Sequence, residues 1–331
     1  MFVLRGLQWI LWTLAWLVAL GCLVWAFGAL HYDFPFWQSG VPWVFALAVL
    51  AAIVFVQNRW RKIGAAFAAF ALVLAWWLTL KPSNAGDWLP DVAQLAWAEI
   101  DGDQVTLHNV RNCEYRTETD YTPHWETRTV RFSQITGIDL AMNYWGSPWI
   151  AHPILSFQCA DAPPVCFSIE TRKKRGQTYS AIGGLYRQFA LIYVVADERD
   201  VIRVRTNYRQ GEDVYLYRTT VTPEQARERF REYLASLNKM RERPRWYNAI
   251  TTNCTTSIRQ QHATAERIPW DWRILANGKA DELMYERRTI AAGDLPFAEL
   301  KRRALINSAA QAANDGDDFS RRIRANSVRA N

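Results

Sequence analysis

The first eighty or so residues are almost entirely apolar, and three runs there read as bilayer spans. A membrane-crossing helix needs about 20 apolar residues. The first run extends without a charge from about Leu7 to Leu30, the second from about Val41 to Val56, and the third from about Ile63 to Leu80. A cleaved signal peptide is the rival reading of the first run, but the run is too long for one and two more follow it. Arg5 precedes the first run, and Arg59, Arg61 and Lys62 separate the second from the third. The loop between the first and second carries Asp33 and no Lys or Arg. Because basic loops stay on the cytoplasmic side, the pattern predicts a cytoplasmic N-terminus and a multi-pass anchor over residues 1–83. Everything after Lys81 then lies outside, which is the periplasm in a Gram-negative cell.

Beyond the anchor the period changes. Residues 84–306 read as one soluble α+β domain with an antiparallel sheet and helices. DQVTLHNV and ETRTVRFSQI alternate like strands. WIAHPILSFQ and VCFSIETR read as a hairpin, with Pro163 and Pro164 in its connection. QFALIYVVA, DVIRVRT and EDVYLYRT are further strands. A helix follows, with Thr222 as N-cap, Pro223 at its first position and Gln225 completing a capping box. Its apolar stripe is Ala226, Phe230, Tyr233, Leu234 and Leu237, and Pro244 ends it. DELMYERRT and DLPFAELKRRALINSAAQAA are predicted helical. The tail, 307–331, is predicted disordered because it is polar and lacks an apolar period.

Composition sharpens this picture in two ways. The chain has 17 Trp, a residue that gathers at membrane interfaces and in sugar or lipid grooves. The net charge is +7, but a domain facing away from the cytoplasm does not meet nucleic acid. The charge fits contact with anionic lipid head groups instead. No Gly-rich phosphate loop is present, Gly183-Gly184 reads as a turn, and neither a metal nor a cofactor is expected.

Candidate chemistry centres on the cysteines. Cys22 lies within the first span, and Cys113 sits in strand context as a core residue. Cys159 and Cys166 flank the predicted hairpin turn and are expected to form a disulfide in an oxidising compartment. Cys254, in WYNAITTNCTTSI, stands where a polar run becomes a helix, with Thr251 and Thr252 as candidate caps. A helix start favours the thiolate through its dipole and its unpaired N–H groups, which suits a nucleophile. Packing of a helix start is the competing reading.

A thiol nucleophile needs a base within hydrogen-bond reach. His262 is eight residues further along the same helix, roughly 12 Å away at 1.5 Å per residue. His108 and His124 look like edge or loop residues. His152 opens an apolar strand just after a loop carrying Trp145 and Trp149, a fitting place for a base at a groove rim. The paired strand supplies Ser168 and Glu170. If Cys159 faces Cys166, Glu170 falls one position off the His152 face, and a one-residue bulge would bring it into line as the orienting group.

IAHPILSF, SIETRKKRGQTYS, YVVADERDVIRVRT, EDVYLYR and YNAITTNCTTSI occur in the same order as in the Lnb N-terminal periplasmic domain family. The chain resembles that family over about Trp88 to Pro269. The resemblance implies a permuted papain-like fold of the NlpC kind, with His before Cys. It also implies thiol acyltransferase chemistry, with Cys254 as nucleophile and His152 as base.

The expected function is a membrane-anchored periplasmic thiol acyltransferase or hydrolase. It would act on phospholipid or lipoprotein acyl groups through an acyl-enzyme on Cys254. Asn253 is a further candidate at the oxyanion, and Trp145, Trp149, Ser168, Trp246 and Tyr247 line the expected groove. The alternatives are a cell-wall cysteine peptidase or amidase, and a non-catalytic membrane-tethered binding protein.

Overall fold

The computed structural model describes residues 2–261 and 270–328, so His262 lies outside the described residues. The chain divides into two compact units. One comprises Met1–Ser83, Tyr179–Phe189 and Trp246–Asn248, and the other Asn84–Thr178, Ala190–Arg245 and Ala249–Asn331.

The first unit is built on α1 (Phe2–Asp33), α2 (Val41–Phe55) and α3 (Arg59–Thr79). Two helices, Gly6–Asp33 and Arg59–Thr79, are long and apolar enough to cross a membrane. The middle run is not. It stops at Phe55 after 15 residues, about 22 Å at 1.5 Å per residue against a hydrocarbon core of about 30 Å. Local chemistry ends it there: Val56 is extended, and the Asn58 side chain accepts from Trp60 N and Arg61 N to start α3. Of the three predicted spans, two are helices of spanning length and the middle one is a short apolar helix. Within this unit Tyr186 packs against Gly28, where a Cβ would overlap its hydroxyl. Asp33 accepts from Trp77 Nε1 at 2.6 Å and from Arg187 N at 3.0 Å. The segment Tyr179–Phe189 thus belongs to the helical unit by packing, far from it in sequence.

The second unit contains β1 (Trp97–Asp101), β2 (Gln104–Arg111), β3 (Glu114–Tyr115), β4 (Tyr121–Thr122), β5 (Trp125–Arg131), β6 (Ile135–Trp145), β7 (Ala151–Cys159), β8 (Val165–Arg172), β9 (Ala190–Ala196) and β10 (Glu212–Arg218). Its main sheet runs β1-β2-β9-β8-β7-β6-β10, with β5 also on β2. The sheet is mixed rather than purely antiparallel, because β2 and β9 pair in parallel at Arg111↔Ala196. Strand β6 escapes a reading by alternation because nearly every residue in it is buried, on both faces.

Seven helices complete the unit among the described residues: α4 (Glu198–Val201), α5 (Pro223–Glu242), α6 (Cys254–Gln261), α7 (Ala280–Glu286), α8 (Phe297–Ala304), α9 (Asn307–Ala313) and α10 (Phe319–Arg322). The capping box of α5 forms as expected, with Thr222 and Gln225 bonding reciprocally. Its Phe230 packs edge-on against Phe157 and Phe167 of β7 and β8. DVIRVRT, expected as a strand, is α4 followed by a π-helical turn over Val204–Tyr208. The Asp197 side chain caps it by accepting from Arg199 N at 2.8 Å, and this cap outweighs the β-branched alternation.

The opposite face of the sheet buries Ile154, Cys166 and Val194 with Ile306, Ala310 and Phe319. This corrects the predicted disordered tail: α9 falls in the run read as helical, but α10 is folded too, and Phe319 and Ile323 are buried. Few apolar residues suffice there because Arg324 is itself drawn inward by Asp139 and Glu198.

The predicted disulfide does not form, and both cysteines are free. The register sets Cys166 opposite Ser156 and Cys159 opposite Ile135 of β6. Cys159 lies three residues beyond the partner of Cys166, roughly 10 Å of strand, outside the Cα spacing a disulfide spans. Continued from Ile154↔Ser168, the same register brings Glu170 opposite His152, so no bulge is needed.

Candidate functional site

His152 enters the site from the start of β7. Its Nε2 lies 2.7 Å from Ser168 Oγ, and Ser168 Oγ donates to Glu170 Oε1 at 2.7 Å. Arg205, from the turn after α4, donates to the same carboxylate oxygen at 3.0 Å. Ser168 has one hydrogen and gives it to Glu170, so it accepts from His152 Nε2–H. That fixes the tautomer and leaves Nδ1 as the basic nitrogen. Burial would raise Glu170, but Arg205 and Arg111 outweigh it and hold the carboxyl well below its usual range. Burial, with Arg205 beside it, lowers His152 to about 3, against a weaker pull from Glu170. The imidazole is neutral at working pH, and Glu170 at 3.9 Å orients it through Ser168 rather than as an ion-pair partner.

Cys254 is the first residue of α6. Asn253, rather than Thr251 or Thr252, caps the helix. Its Oδ1 accepts from Thr256 N at 2.9 Å, Thr256 Oγ1 accepts from Asn253 N at 2.9 Å, and its Nδ2 donates to Ala249 O at 2.8 Å. The Asn253 amide is thus spent on shaping the turn. Burial pushes the Cys254 thiol above its ordinary value, opposed by hydrogen bonds from Thr255 and Asn277. The helix start alone does not make a thiolate here.

Asn277, which the sequence reading did not single out, joins the two halves. Its Oδ1 accepts from Ala151 N at 2.9 Å, next to His152. Its Nδ2 donates to Thr255 Oγ1 at 3.1 Å and reaches Cys254 Sγ at 3.7 Å. One buried amide therefore ties the start of β7 to the start of α6. In sequence it is an Asn-Gly in a short polar link, which signals only a turn.

No hydrogen bond joins Cys254 to His152 among the described residues. Strand alternation directs His152 to the face it shares with Ser168 and Glu170. Tyr233, on the helix α5 that α6 touches, packs on Phe157 and Phe167 of the other face. The resting arrangement holds thiol and imidazole on either side of the start of β7, with Asn277 at that strand end.

Of the expected groove residues, Trp145 and Trp149 are exposed, and Trp145 borders an open cavity of about 290 Å³ together with Tyr144, Tyr215 and Lys301. Trp246 and Tyr247 belong to the helical unit, where Trp246 Nε1 donates to Leu80 O at 3.4 Å. Of the reserve bases, His108 stacks on Trp97 with ring centroids 3.9 Å apart.

The neutral imidazole sets an acid-side expectation. Between the ordinary value of 6.5 and about 3, the unfolded chain binds the His152 proton and the folded chain does not. Stability should therefore fall as pH drops through that window. Glu170, depressed when folded, adds loss in the same direction below its ordinary 4.5. Thermal unfolding of the solubilised protein between pH 7.5 and 4.5 should show the decline, and His152→Gln should flatten it. An unchanged slope in that variant would assign the decline to other groups.

No curated protein and no solved structure matches this chain. Residues 121–278 match the Lnb N-terminal periplasmic domain, a span that begins later and ends later than the resemblance read from motifs. His152, Ser168, Glu170, Arg205, Cys254 and Asn277 all lie inside it. The chain combines a periplasmic-family domain with N-terminal helices long enough to anchor it in a membrane. Over residues 121–278 the chain is similar to the Lnb N-terminal periplasmic domain family.

Proposed function

We propose that this protein is a periplasmic, inner-membrane-anchored cysteine acyltransferase or hydrolase that works on phospholipid or lipoprotein acyl groups. The observation that carries the reading is the Asn277 amide, which contacts the Cys254 sulfur and holds the strand end next to His152. A permuted papain-like arrangement, with His ahead of Cys in the chain, fits this placement.

In the proposed reaction, His152 Nδ1 takes the Cys254 proton through one bridging water at the end of β7, beside Asn277, when an acyl group is bound. Catalytic hydrogen bonds are often unmade in resting sites and form only with substrate present. The thiolate attacks the acyl carbonyl. The ester C–O bond breaks, and the alcohol leaves with the proton from His152. The resulting thioester is attacked by an amine or by water, which gives its proton to His152 as the thiolate departs. Backbone N–H groups at the start of α6 are suited to the oxyanion. Ser168 and Glu170 hold Nε2–H in place throughout, so Nδ1 is the nitrogen that gains and loses the proton.

Intact-mass analysis after incubation with membrane lipids should find one added acyl group, located on Cys254 and absent from Cys254→Ala. An acyl adduct that survives that substitution would refute the reading.

Orientation is part of the proposal. Three crossings place the domain opposite the N-terminus, and two would return it to the same side, so α2 decides the outcome. We expect α2 to complete a crossing, with Arg59, Arg61 and Lys62 on the cytoplasmic side. A reporter active only in the cytoplasm, fused after Asn331, should be silent. Strong reporter activity would show that α2 does not cross.

A further inference from the structure

We infer that the loop before β7 and the segment 270–279 together form a membrane-contacting ridge that seats the thiol site on a lipid surface. The inference deepens the proposed function and rests on it for the substrate's location.

The two segments are zipped. Gly278 N donates to Trp149 O at 3.0 Å, and Asn277 binds Ala151 N from the adjoining position. Gly278 permits the approach, because a Cβ there would stand 2.4 Å from the Trp149 carbonyl carbon and 2.5 Å from Pro148 O. The zipper leaves large apolar side chains facing solvent: Trp149 is 52% exposed, Ile150 49%, Trp270 63%, Trp272 57% and Leu275 48%. Trp149 and Trp272 pair with ring centroids 6.1 Å apart. Holding this much apolar surface in water is unfavourable, by about 25 cal/mol per Å², so the ridge reads as a contact surface.

Its chemistry selects the occupant. Tryptophan dominates the ridge, and an indole with an apolar body and one N–H suits the boundary between head groups and acyl chains. Lys279 stands over the Trp149 ring at 5.4 Å and puts a cation at the rim. The carboxylates of Asp271 and Glu286 are both held by Arg273, at 3.0 and 2.8 Å, which lessens repulsion from an anionic lipid. The same chain carries helices of spanning length. Only Lys81–Asp87 intervene before Trp88, a tether of less than about 30 Å even when extended. Asn277, within the ridge segment, contacts the Cys254 sulfur, so lipid met by the ridge is met beside the thiol.

The test uses the full chain carrying Cys254→Ala, reconstituted into phosphatidylethanolamine–phosphatidylglycerol vesicles, with p-benzoylphenylalanine incorporated singly at Trp272, at Leu275, at Leu72 of α3 or at Ile100 of β1. After irradiation, peptide masses should show phospholipid adducts at 272, 275 and 72, and at least tenfold fewer at the equally solvent-exposed 100. Adducts at 72 without adducts at 272 and 275 would overturn the inference. So would equal labelling at 100, or a protein–protein adduct at 272, which would assign the ridge to a second copy of this chain. The readout is lipid contact in an inactive variant, so a failure of the thiol chemistry leaves it unaffected, while failed contact leaves the acyl-mass experiment standing.

Discussion

Cys254→Ala and His152→Ala should each remove nearly all turnover, by about 10⁴-fold or more, and the double variant should be little worse than either alone. Residues that act as a nucleophile–base unit show this non-additivity, because the second removal deletes nothing the first left working. The geometry refines the expectation. Ser168→Ala takes away the acceptor of His152 Nε2–H, and Glu170→Gln weakens the carboxylate that orients Ser168. Each should lower kcat by roughly 10–100-fold, the range typical of a lost orienting partner, with KM nearly unchanged. With His152 lowered to about 3, the acid limb of the wild-type kcat/KM profile should lie well below pH 6. Near-normal activity in His152→Ala would move the base elsewhere, with His124 and His108 next to be tested.

Arg324→Ala should cost about 3–5 kcal/mol of stability, the scale of breaking a buried ion pair from one side. Arg324 Nε donates to Asp139 Oδ2 at 2.7 Å, and its Nη1 to Glu198 Oε2 at 2.8 Å, both carboxylates being buried. Burial raises Asp139 despite Arg324, whereas in Glu198 the Arg324 charge outweighs burial and the net shift is downward. For Glu198 the contribution is present above its ordinary value and is lost as pH falls through the depressed one. Removing Arg324 leaves the buried Glu198 with the Ser156 hydroxyl and Asp139 with Arg218 alone among the described residues, so the deficit should be largest near neutral pH and shrink as Glu198 protonates. The control is Arg321→Ala: its side chain is 81% exposed and pairs with Asp318, and such pairs contribute about 0–1 kcal/mol. Thermal unfolding at pH 7 and pH 5 reads both variants. Equal small losses would mean that α9 and α10 are not held by the Arg324 cluster.

Much of the plan was legible in the linear pattern wherever a local rule had no competitor. The α5 capping box, the apolar stripe and the β7–β8 hairpin followed from spacing, and Cys254 at a helix start followed from a polar run turning periodic. Reading failed where long-range packing set the outcome. β6 hid because its neighbours cover both faces. DVIRVRT became a helix and π-turn because the Asp197 side chain caps it. The tail folded because the sheet supplies a face for Phe319 and Ile323 and two buried carboxylates for Arg324.

The sequence by itself determined the apolar N-terminal helices, the mixed character of the domain, and the places of Cys254 at a helix start and His152 at a strand start, because these depend on side-chain period and on local capping. Tertiary structure decided the rest. Strand register, a property of two strands together, separated Cys159 from Cys166 and set Glu170 opposite His152. A buried turn residue, Asn277, proved to bridge the thiol helix to the histidine strand, a role it has only because segments 126 residues apart in the chain meet there.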